Sequence, residues 1–259
     1  MILDDALIFK TLFNGFYSRD DVDILWQPSP LSLPEVMNEE IEHHWQTLSK
    51  EYIFNGSLAR LEHWAATPVH CQFVLRPSNY QTLLYSNHHV QHIKEKWGFQ
   101  YLSRALGVSA VMVSADNRLL LMKRSAFVGE FPNCYDLFGG HVDIAENGTP
   151  CVFRAMAQEL QEEVGLEPDD HDLSLLGLIE TTATKKPELV FQAKTTKTAN
   201  EIIAAAKNAK DNLEFSNIFS ILNKLEDIQH FLKEHCKEFS PSAFGSLCVH
   251  MQTNFADEE

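Results

Sequence analysis

Basic residues are scarce in this sequence. Its 259 residues include 21 Lys and Arg against 36 Asp and Glu, which gives a formal charge of −15 and an isoelectric point near 5.2. Duplex nucleic acid is bound through many Lys and Arg contacts to phosphate, so this balance disfavours a nucleic-acid partner. A site for phosphate would have to be local, built from a few basic groups or from a metal ion.

Cysteines are few and scattered. The five are Cys71, Cys134, Cys151, Cys236 and Cys248, and no two of them form a C-x-x-C pair. A disulfide framework needs an even set and a zinc site needs closely spaced ligands, so both are disfavoured. Reduced thiols in a reducing compartment are the expectation.

Long apolar runs are also missing. No stretch approaches the ~18 apolar residues of a membrane span, and residues 1–16 lack the basic start and apolar core of a secretory signal. The sequence has no Gly/Ser-rich linker, repeat or low-complexity tract, while its hydrophobic content of 44% is ample for a core. A cytoplasmic protein without a membrane partner is predicted.

One stretch, residues 139–166, combines glycines with glutamates. On a helix, Glu159, Glu162 and Glu163 fall at i, i+3 and i+4 and share one face. Three like charges within one turn repel each other, and a divalent cation with oxygen ligands such as Mg²⁺ removes that repulsion. A solvated acidic face is the simpler interpretation of this spacing taken alone.

The ends of this helix carry their own signals. Thr149 is predicted as the N-cap, with Pro150 at the first helical position, and Gly165 stands where a C-terminal glycine belongs. A stripe of apolar residues at every fourth position predicts the buried face: Val152, Met156, Leu160 and Val164.

Loop and helix together resemble the signature of the Nudix hydrolases, G-x5-E-x7-R-E-U-x-E-E-x-G-U, where U is aliphatic. The residues that fit are Gly140, Glu146, Glu159, Leu160, Glu162, Glu163, Gly165 and Leu166. Two features depart from it: eleven residues separate Glu146 from Gln158 where the signature has seven, and Gln158 replaces the arginine. Four extra residues are about one helical turn, so the acidic face is expected to persist.

More narrowly, the chain resembles the branch that hydrolyses UDP-glucose and UDP-galactose. That branch also has a glutamine at the arginine position, an insertion in the signature and an N-terminal domain of similar size. The runs that carry the resemblance are Leu106-Gly107-Val108, Lys123-Arg124-Ser125, Leu160-Gln161-Glu162-Glu163 and Ser240-Pro241-Ser242-Ala243. The resemblance implies Mg²⁺-dependent hydrolysis of a UDP-sugar to UMP and a sugar 1-phosphate, with Mn²⁺ as an acceptable substitute.

The resemblance also implies roles for particular residues. Glu159, Glu162 and Glu163 would be catalytic residues and metal ligands, and which of them acts as the base is left open. Glu188 and Glu214 are weaker candidates for a further carboxylate. The expected substrate-binding residues are Arg124, Lys123, Tyr80, Asn87, Gly139 and Gly140.

The implied fold is α/β, a Nudix α/β/α sandwich with a mixed sheet. Residues 105–254 would form this domain, after an α+β domain of residues 1–104 that is a possible substrate-binding appendage, and residues 255–259 would be a tail. Two alternatives stay open: another nucleoside diphosphate derivative as substrate, such as ADP-ribose or NADH, or a catalytically silent ligand-binding module. The partner expected is a small nucleotide-sugar, and the oligomeric state is not predicted.

Overall fold

The computed structural model describes residues 8–48, 54–144 and 148–256. Its strands are β1 (Phe9–Tyr17), β2 (Val22–Trp26), β3 (Ser57–Thr67), β4 (His70–Asn79), β5 (Gly107–Val113), β6 (Arg118–Arg124), β7 (Tyr135–Asp136), β8 (Phe138–His141), β9 (His171–Thr181), β10 (Pro187–Thr195) and β11 (Phe215–Leu222). Its α-helices are α1 (Glu35–Thr47), α2 (Tyr80–His88), α3 (Val90–Lys96), α4 (Val152–Val164), α5 (Ala199–Ala206), α6 (Leu225–His235) and α7 (Pro241–Asn254). None of the described helices has the length and apolar character that a membrane crossing requires.

Eight strands form one mixed sheet. Six of them lie in the order β1-β9-β10-β5-β6-β11, while β8 pairs with β5 and β7 pairs with β6. The β10–β5 pair is parallel, and its neighbours are antiparallel. All seven residues of β5 are buried, as expected for a central strand that is covered on both faces.

Helices cover both faces of this sheet. On one face α4 and α5 contribute Met156, Leu160 and Ile202 to an apolar core, and on the other α6 and α7 contribute Leu232 and Phe244 to a second core. The predicted α/β/α sandwich with a mixed sheet is therefore confirmed.

The N-terminal hundred residues are divided between two sheets. Strands β2, β4 and β3 form a small sheet in that order, next to helices α1–α3. Strand β1 instead joins the large sheet, where Phe9 pairs with Thr181 of β9, and Phe73 of the small sheet belongs to the same core as Met156. A domain boundary after residue 104 would therefore leave one strand of the large sheet in the preceding domain, and the predicted division remains a prediction.

Helix α4 differs from its prediction at one end. It begins at Val152 with Cys151 as the N-cap, so the predicted start at Thr149 and Pro150 was wrong; Pro150 is buried ahead of the helix. Its predicted end is confirmed, because Gly165 adopts a left-handed conformation with φ of 69° and its N–H donates to Gln161 O. Glu146 lies outside the described residues.

A fully buried histidine ties α7 to the large sheet. The Nε2 of His250 lies 2.9 Å from Asn223 Oδ1, and its Nδ1 lies 3.3 Å from Gln192 Nε2 and 3.2 Å from Asn254 Nδ2. Two amide donors at Nδ1 leave the proton on Nε2, so the ring is neutral. Burial lowers the pKa of His250 to about 4.

This shift predicts a loss of stability in mild acid. Because the folded-state pKa lies below the unfolded value of about 6.5, the contribution of His250 is fully present above that pH and is lost as the pH falls toward 4. Urea unfolding at pH 7.5 and 5.8 should show the wild type losing about 1 kcal/mol more than His250→Gln between the two conditions. Equal losses in both proteins would contradict the assignment.

Candidate functional site

The acidic residues of α4 lie against the glycine pair of β8. Val152, Met156, Leu160 and Val164 face the core, as the stripe predicted. Glu163 is nevertheless only 2% exposed, because it turns toward the strand. Its Oε2 accepts a hydrogen bond from the Gly139 N–H at 2.8 Å.

The second oxygen of Glu163 is unsatisfied. Oε1 is buried and has no hydrogen-bond partner among the described residues. Burial, followed by the charges of Glu159 and Glu214, raises the pKa of Glu163 well above its ordinary value. Leaving a buried carboxylate oxygen without a partner costs stability, so a ligand that binds this oxygen would remove a cost.

Glu159 occupies the space above Gly140. A Cβ added at Gly140 would lie 2.2 Å from Glu159 Oε1, so only glycine leaves room for this carboxylate. Burial and the negative charges of Glu162, Glu214 and Asp143 raise the pKa of Glu159 to about 8. The position therefore favours a neutral carboxyl unless positive charge is brought nearby.

Glu162 has a different environment on the same helix. Its Oε1 lies 2.9 Å from Lys210 Nζ and accepts a hydrogen bond of 3.1 Å from Gln158 Nε2. Burial opposes the shift, but these two bonds hold the pKa of Glu162 below its ordinary value. Gln158, at the position of the signature arginine, thus contacts a glutamate of the helix through an amide.

The predicted basic residues are committed to other side chains. Arg124 Nη1 donates to Asp136 Oδ2 at 3.1 Å, although its charge also acts on Glu163 and Glu214. Lys123 Nζ lies 3.1 Å from Glu238 Oε2 and 3.9 Å from the centre of the Tyr135 ring. The charge of Arg124 therefore acts on Glu163 and Glu214, whereas Lys123 contacts Glu238 and Tyr135.

Two predicted residues of α2 meet the loop that precedes β7. Asn87 Nδ2 donates to Glu130 Oε1 at 2.9 Å. Tyr80 is half-buried, and burial together with the charge of Glu130 raises the pKa of its phenol. Both residues therefore lie around Glu130, and the side-chain hydrogen bond of Asn87 within the described residues goes to Glu130 rather than to Glu159 or Glu163.

A buried charged row crosses the sheet beside the glycine pair. Glu188 of β10 pairs in register with Gly107 of β5, which pairs in turn with His141 of β8. A Cβ at Gly107 would lie 2.0 Å from Glu188 Oε2, so the carboxylate extends over this glycine. Lys186 Nζ lies 3.7 Å from Glu188 and 3.9 Å from Glu130.

Two buried atoms of this charged row make no hydrogen bond within the described residues. Glu188 Oε2 and His141 Nε2 are buried with no hydrogen-bond partner among the described residues. Burial raises the pKa of Glu188 to about 7, while burial and the charge of Lys186 lower the pKa of His141 to about 3. The charged row is thus a buried polar surface next to the acidic helix.

The segment that contains these elements matches a known family of domains. Residues 103–213 match the family model of the NUDIX domain. The chain therefore contains a NUDIX domain. Helix α4, the glycine pair of β8 and the charged row all belong to it.

Individual relatives are more distant. The chain is 37% identical over 76 residues to "m7GpppN-mRNA hydrolase NUDT17" of Xenopus laevis, covering 29% of this chain and 24% of that protein. It is 27% identical over 179 residues to "Uridine diphosphate glucose pyrophosphatase NUDT22" of Mus musculus, covering 60% and 56%. The chain thus spans between about a quarter and just over half of the length of these relatives.

Among solved structures, a mutT/nudix family protein from Listeria innocua superposes with a TM-score of 0.42 and is 16% identical. The superposition covers 60% of this chain and 95% of that protein.

Buried polar atoms without hydrogen-bond partners indicate whether the NUDIX domain could hold a cation. Within residues 8–48, 54–144 and 148–256, no three His, Cys, Asp or Glu side chains are drawn together as a metal-binding group. The glutamates still fit a hard cation, because Glu163 Oε1 has no hydrogen-bond partner among the described residues and the negative charge of Glu159 raises the pKa of Glu163. Glu159, Glu162 and Glu163 are the residues that would hold it. Glu214 is a further carboxylate whose charge raises the pKa of both Glu159 and Glu163.

Sequence reasoning missed two residues of the site. His141 directly follows the glycine pair, which was a usable signal, since residues beside such a loop face the same space. Glu130 lies in an irregular segment between β6 and β7, and nothing in its local sequence marks it. Its partners Asn87 and Lys186 come from parts of the chain that lie more than 40 residues away on either side.

Proposed function

We propose that this protein is a Mg²⁺-dependent hydrolase that cleaves the diphosphate of a UDP-sugar, releasing UMP and a sugar 1-phosphate. The observation that carries the proposal is Glu163, a buried carboxyl group of the NUDIX helix. One of its oxygens accepts the Gly139 N–H, and the other has no hydrogen-bond partner in the part of the chain that the structure describes. Such a group is costly in a folded protein, and a bound cation offsets the cost.

Glu159, Glu162 and Glu163 would hold the ion. When bound, a divalent cation activates water as the nucleophile and neutralises charge that develops on the phosphoryl oxygens. The protein's part is to fix the carboxylates: Gly139 holds Glu163 by its N–H, and Gly140 leaves the space that Glu159 occupies. Glu159, whose pKa is raised to about 8, serves as a ligand or as the base.

Basic and polar residues beside the helix would receive the substrate. Arg124 lies in the field of Glu163, and Lys186 carries a charge that Glu130 and Glu188 maintain although burial opposes it. Tyr80 and Asn87 surround Glu130 from α2, so the N-terminal part of the chain would contribute to substrate binding. Lys123, paired with Glu238, has the weakest support among the predicted binding residues.

The choice of a UDP-sugar rests on the extent of similarity. The mouse UDP-glucose pyrophosphatase aligns with 60% of this chain, and the Xenopus mRNA hydrolase with 29%. The latter has the higher identity, 37% against 27%. Hydrolysis of a capped-RNA 5′ end, m7GpppN, is therefore the second candidate.

A substrate panel tests the proposal. Purified protein is incubated with Mg²⁺ and each of UDP-glucose, UDP-galactose, ADP-ribose, NADH and m7GpppN, and products are resolved by anion-exchange chromatography. We expect UMP from the two UDP-sugars with the highest kcat/KM, and at least ~10²-fold slower turnover in excess EDTA. The highest kcat/KM on another member of the panel would replace the substrate.

A silent ligand-binding module would be supported by two results together: no product from any of the five compounds, and calorimetric binding of one of them that Glu163→Gln leaves unchanged. Mn²⁺ is tested in parallel with Mg²⁺, since both accept oxygen ligands in octahedral sites.

A further inference from the structure

We propose that a cavity beside the small sheet binds a nucleotide, with its phosphate on Arg60 and Arg104 and its base against Trp64 and Phe99. This arginine cavity has a volume of about 400 Å³, within the range of small-molecule sites. It is lined by Arg60, Glu62, His63, Trp64, Phe99, Gln100 and Arg104. None of these belongs to the candidate hydrolase site, and the proposal does not depend on the hydrolase activity.

The small sheet brings two arginines face to face. Arg60 of β3 pairs in register with Arg76 of β4, and like charges directly opposite each other destabilise an antiparallel pair. A register shift between Leu61 and His63 adds Glu62 to the strand as a bulge, a feature that re-aims side chains next to binding sites. Glu62 Oε2 lies 3.3 Å from Arg60 Nε and 4.0 Å from Arg76 Nε.

A third arginine enters from the segment before β5. Arg104 has a φ of 49°, and its Nε donates to Leu61 O at 3.1 Å. Its Nη1 lies 3.3 Å from Glu180, which Lys185 also approaches at 3.7 Å. Two carboxylates therefore serve four cations: Glu62 pairs with Arg60 and Arg76, and Glu180 pairs with Arg104 and Lys185. This local excess of positive charge stands in a chain whose formal charge is −15.

Arg60 itself is the strongest indication of a ligand. It is 4% exposed, and its Nη2 donates to Gln100 O at 3.2 Å. Although Glu62 is near, Arg60 Nε has no hydrogen-bond partner in the part of the chain that the structure describes. A guanidinium group presents N–H donors in a planar fork that matches the oxygens of a phosphate. A phosphate would therefore supply the hydrogen bond that Arg60 Nε lacks beside its ion pair with Glu62, and it would balance the excess charge.

Two aromatic rings, those of Trp64 and Phe99, also line the arginine cavity. Trp64 packs against Phe13, with ring centres 5.4 Å apart, which fixes its orientation. Phe99 is 47% exposed, and Lys94 Nζ lies 5.0 Å from its ring centre. Aromatic side chains stack with any nucleobase, so the arrangement of arginine fork and rings fits a phosphate that carries a base.

Titration of the full chain with UMP tests this proposal. In EDTA, which removes divalent cations from the candidate hydrolase site, we expect UMP to quench tryptophan fluorescence, and Trp64→Phe to abolish most of the quenching. By calorimetry, Arg60→Met should weaken UMP binding at least tenfold and Phe99→Ala several-fold. Inorganic phosphate and uridine, each lacking one half of the ligand, should bind at least tenfold more weakly than UMP.

Phe54→Ala is the matched control, since Phe54 is 82% exposed and does not line the cavity; it should leave the affinity for UMP unchanged. Circular dichroism establishes that each variant is folded. Should Arg60→Met fail to fold, Phe99→Ala decides, because removing an exposed ring preserves the core. UMP binding that neither variant weakens, no UMP binding at millimolar concentration, or phosphate binding as tight as that of UMP would each overturn the assignment.

Discussion

Glu163→Gln is expected to lower kcat for the UDP-sugar by about 10²-fold or more, the scale of losing one preorganised electrostatic group. The amide keeps an oxygen that can accept the Gly139 N–H, so the position of the side chain is preserved. It removes the negative charge that a cation requires. Turnover is measured as UMP release at saturating substrate and Mg²⁺.

The same substitution is expected to leave the melting temperature equal or higher. Glu163 is 2% exposed and its Oε1 lacks a partner in the described residues, so a neutral side chain of the same shape removes a group whose charged form burial disfavours. Loss of activity without loss of stability is the signature of a residue retained for function.

Glu226→Gln is the matched control for this experiment, because Glu226 is exposed in the first turn of α6 and should change neither quantity. Glu162→Gln should also lower kcat by about 10²-fold, but it removes a charge paired with Lys210. Unchanged turnover in Glu163→Gln would place the cation elsewhere.

The acidic helix could be predicted because its signals are local. The spacing of Glu159, Glu162 and Glu163 follows from helical geometry, and Gly165 ends the helix because a left-handed residue is needed there. The predicted start of the helix was wrong. Thr149 is a residue type that favours N-cap positions, but the helix begins only at Val152, after the buried Pro150.

The charged row could not be predicted in this way. His141 and Glu188 become neighbours only because β8 and β10 both pair with β5, and single-sequence periodicity carries no information on strand pairing. The same limit applies to Arg124. Arg124 is expected to bind substrate, and the pairing of β7 with β6 also brings Asp136 Oδ2 to within 3.1 Å of its Nη1, a contact that the sequence does not reveal.

Gly139→Ala is expected to destabilise the fold by about 3 kcal/mol or more, as overpacking and backbone strain add. A Cβ at this position would lie 2.1 Å from Val108 O and 2.8 Å from Ser109 Cα. These are backbone atoms of the central strand β5, which is hydrogen-bonded on both sides and cannot withdraw as a flexible side chain would. The residue also has a φ of +156°.

The melting temperature of Gly139→Ala should therefore fall by roughly 6 °C or more, and activity should fall with it because Gly139 positions Glu163. Gly148→Ala provides the comparison within the same segment of chain. No described atom lies within 4 Å of a Cβ at Gly148, so its stability should change by no more than about 0.5 kcal/mol. Equal melting temperatures for the two variants would show that β8 does not approach β5 as closely as this register requires, and the support that Gly139 gives to Glu163 would be lost with it.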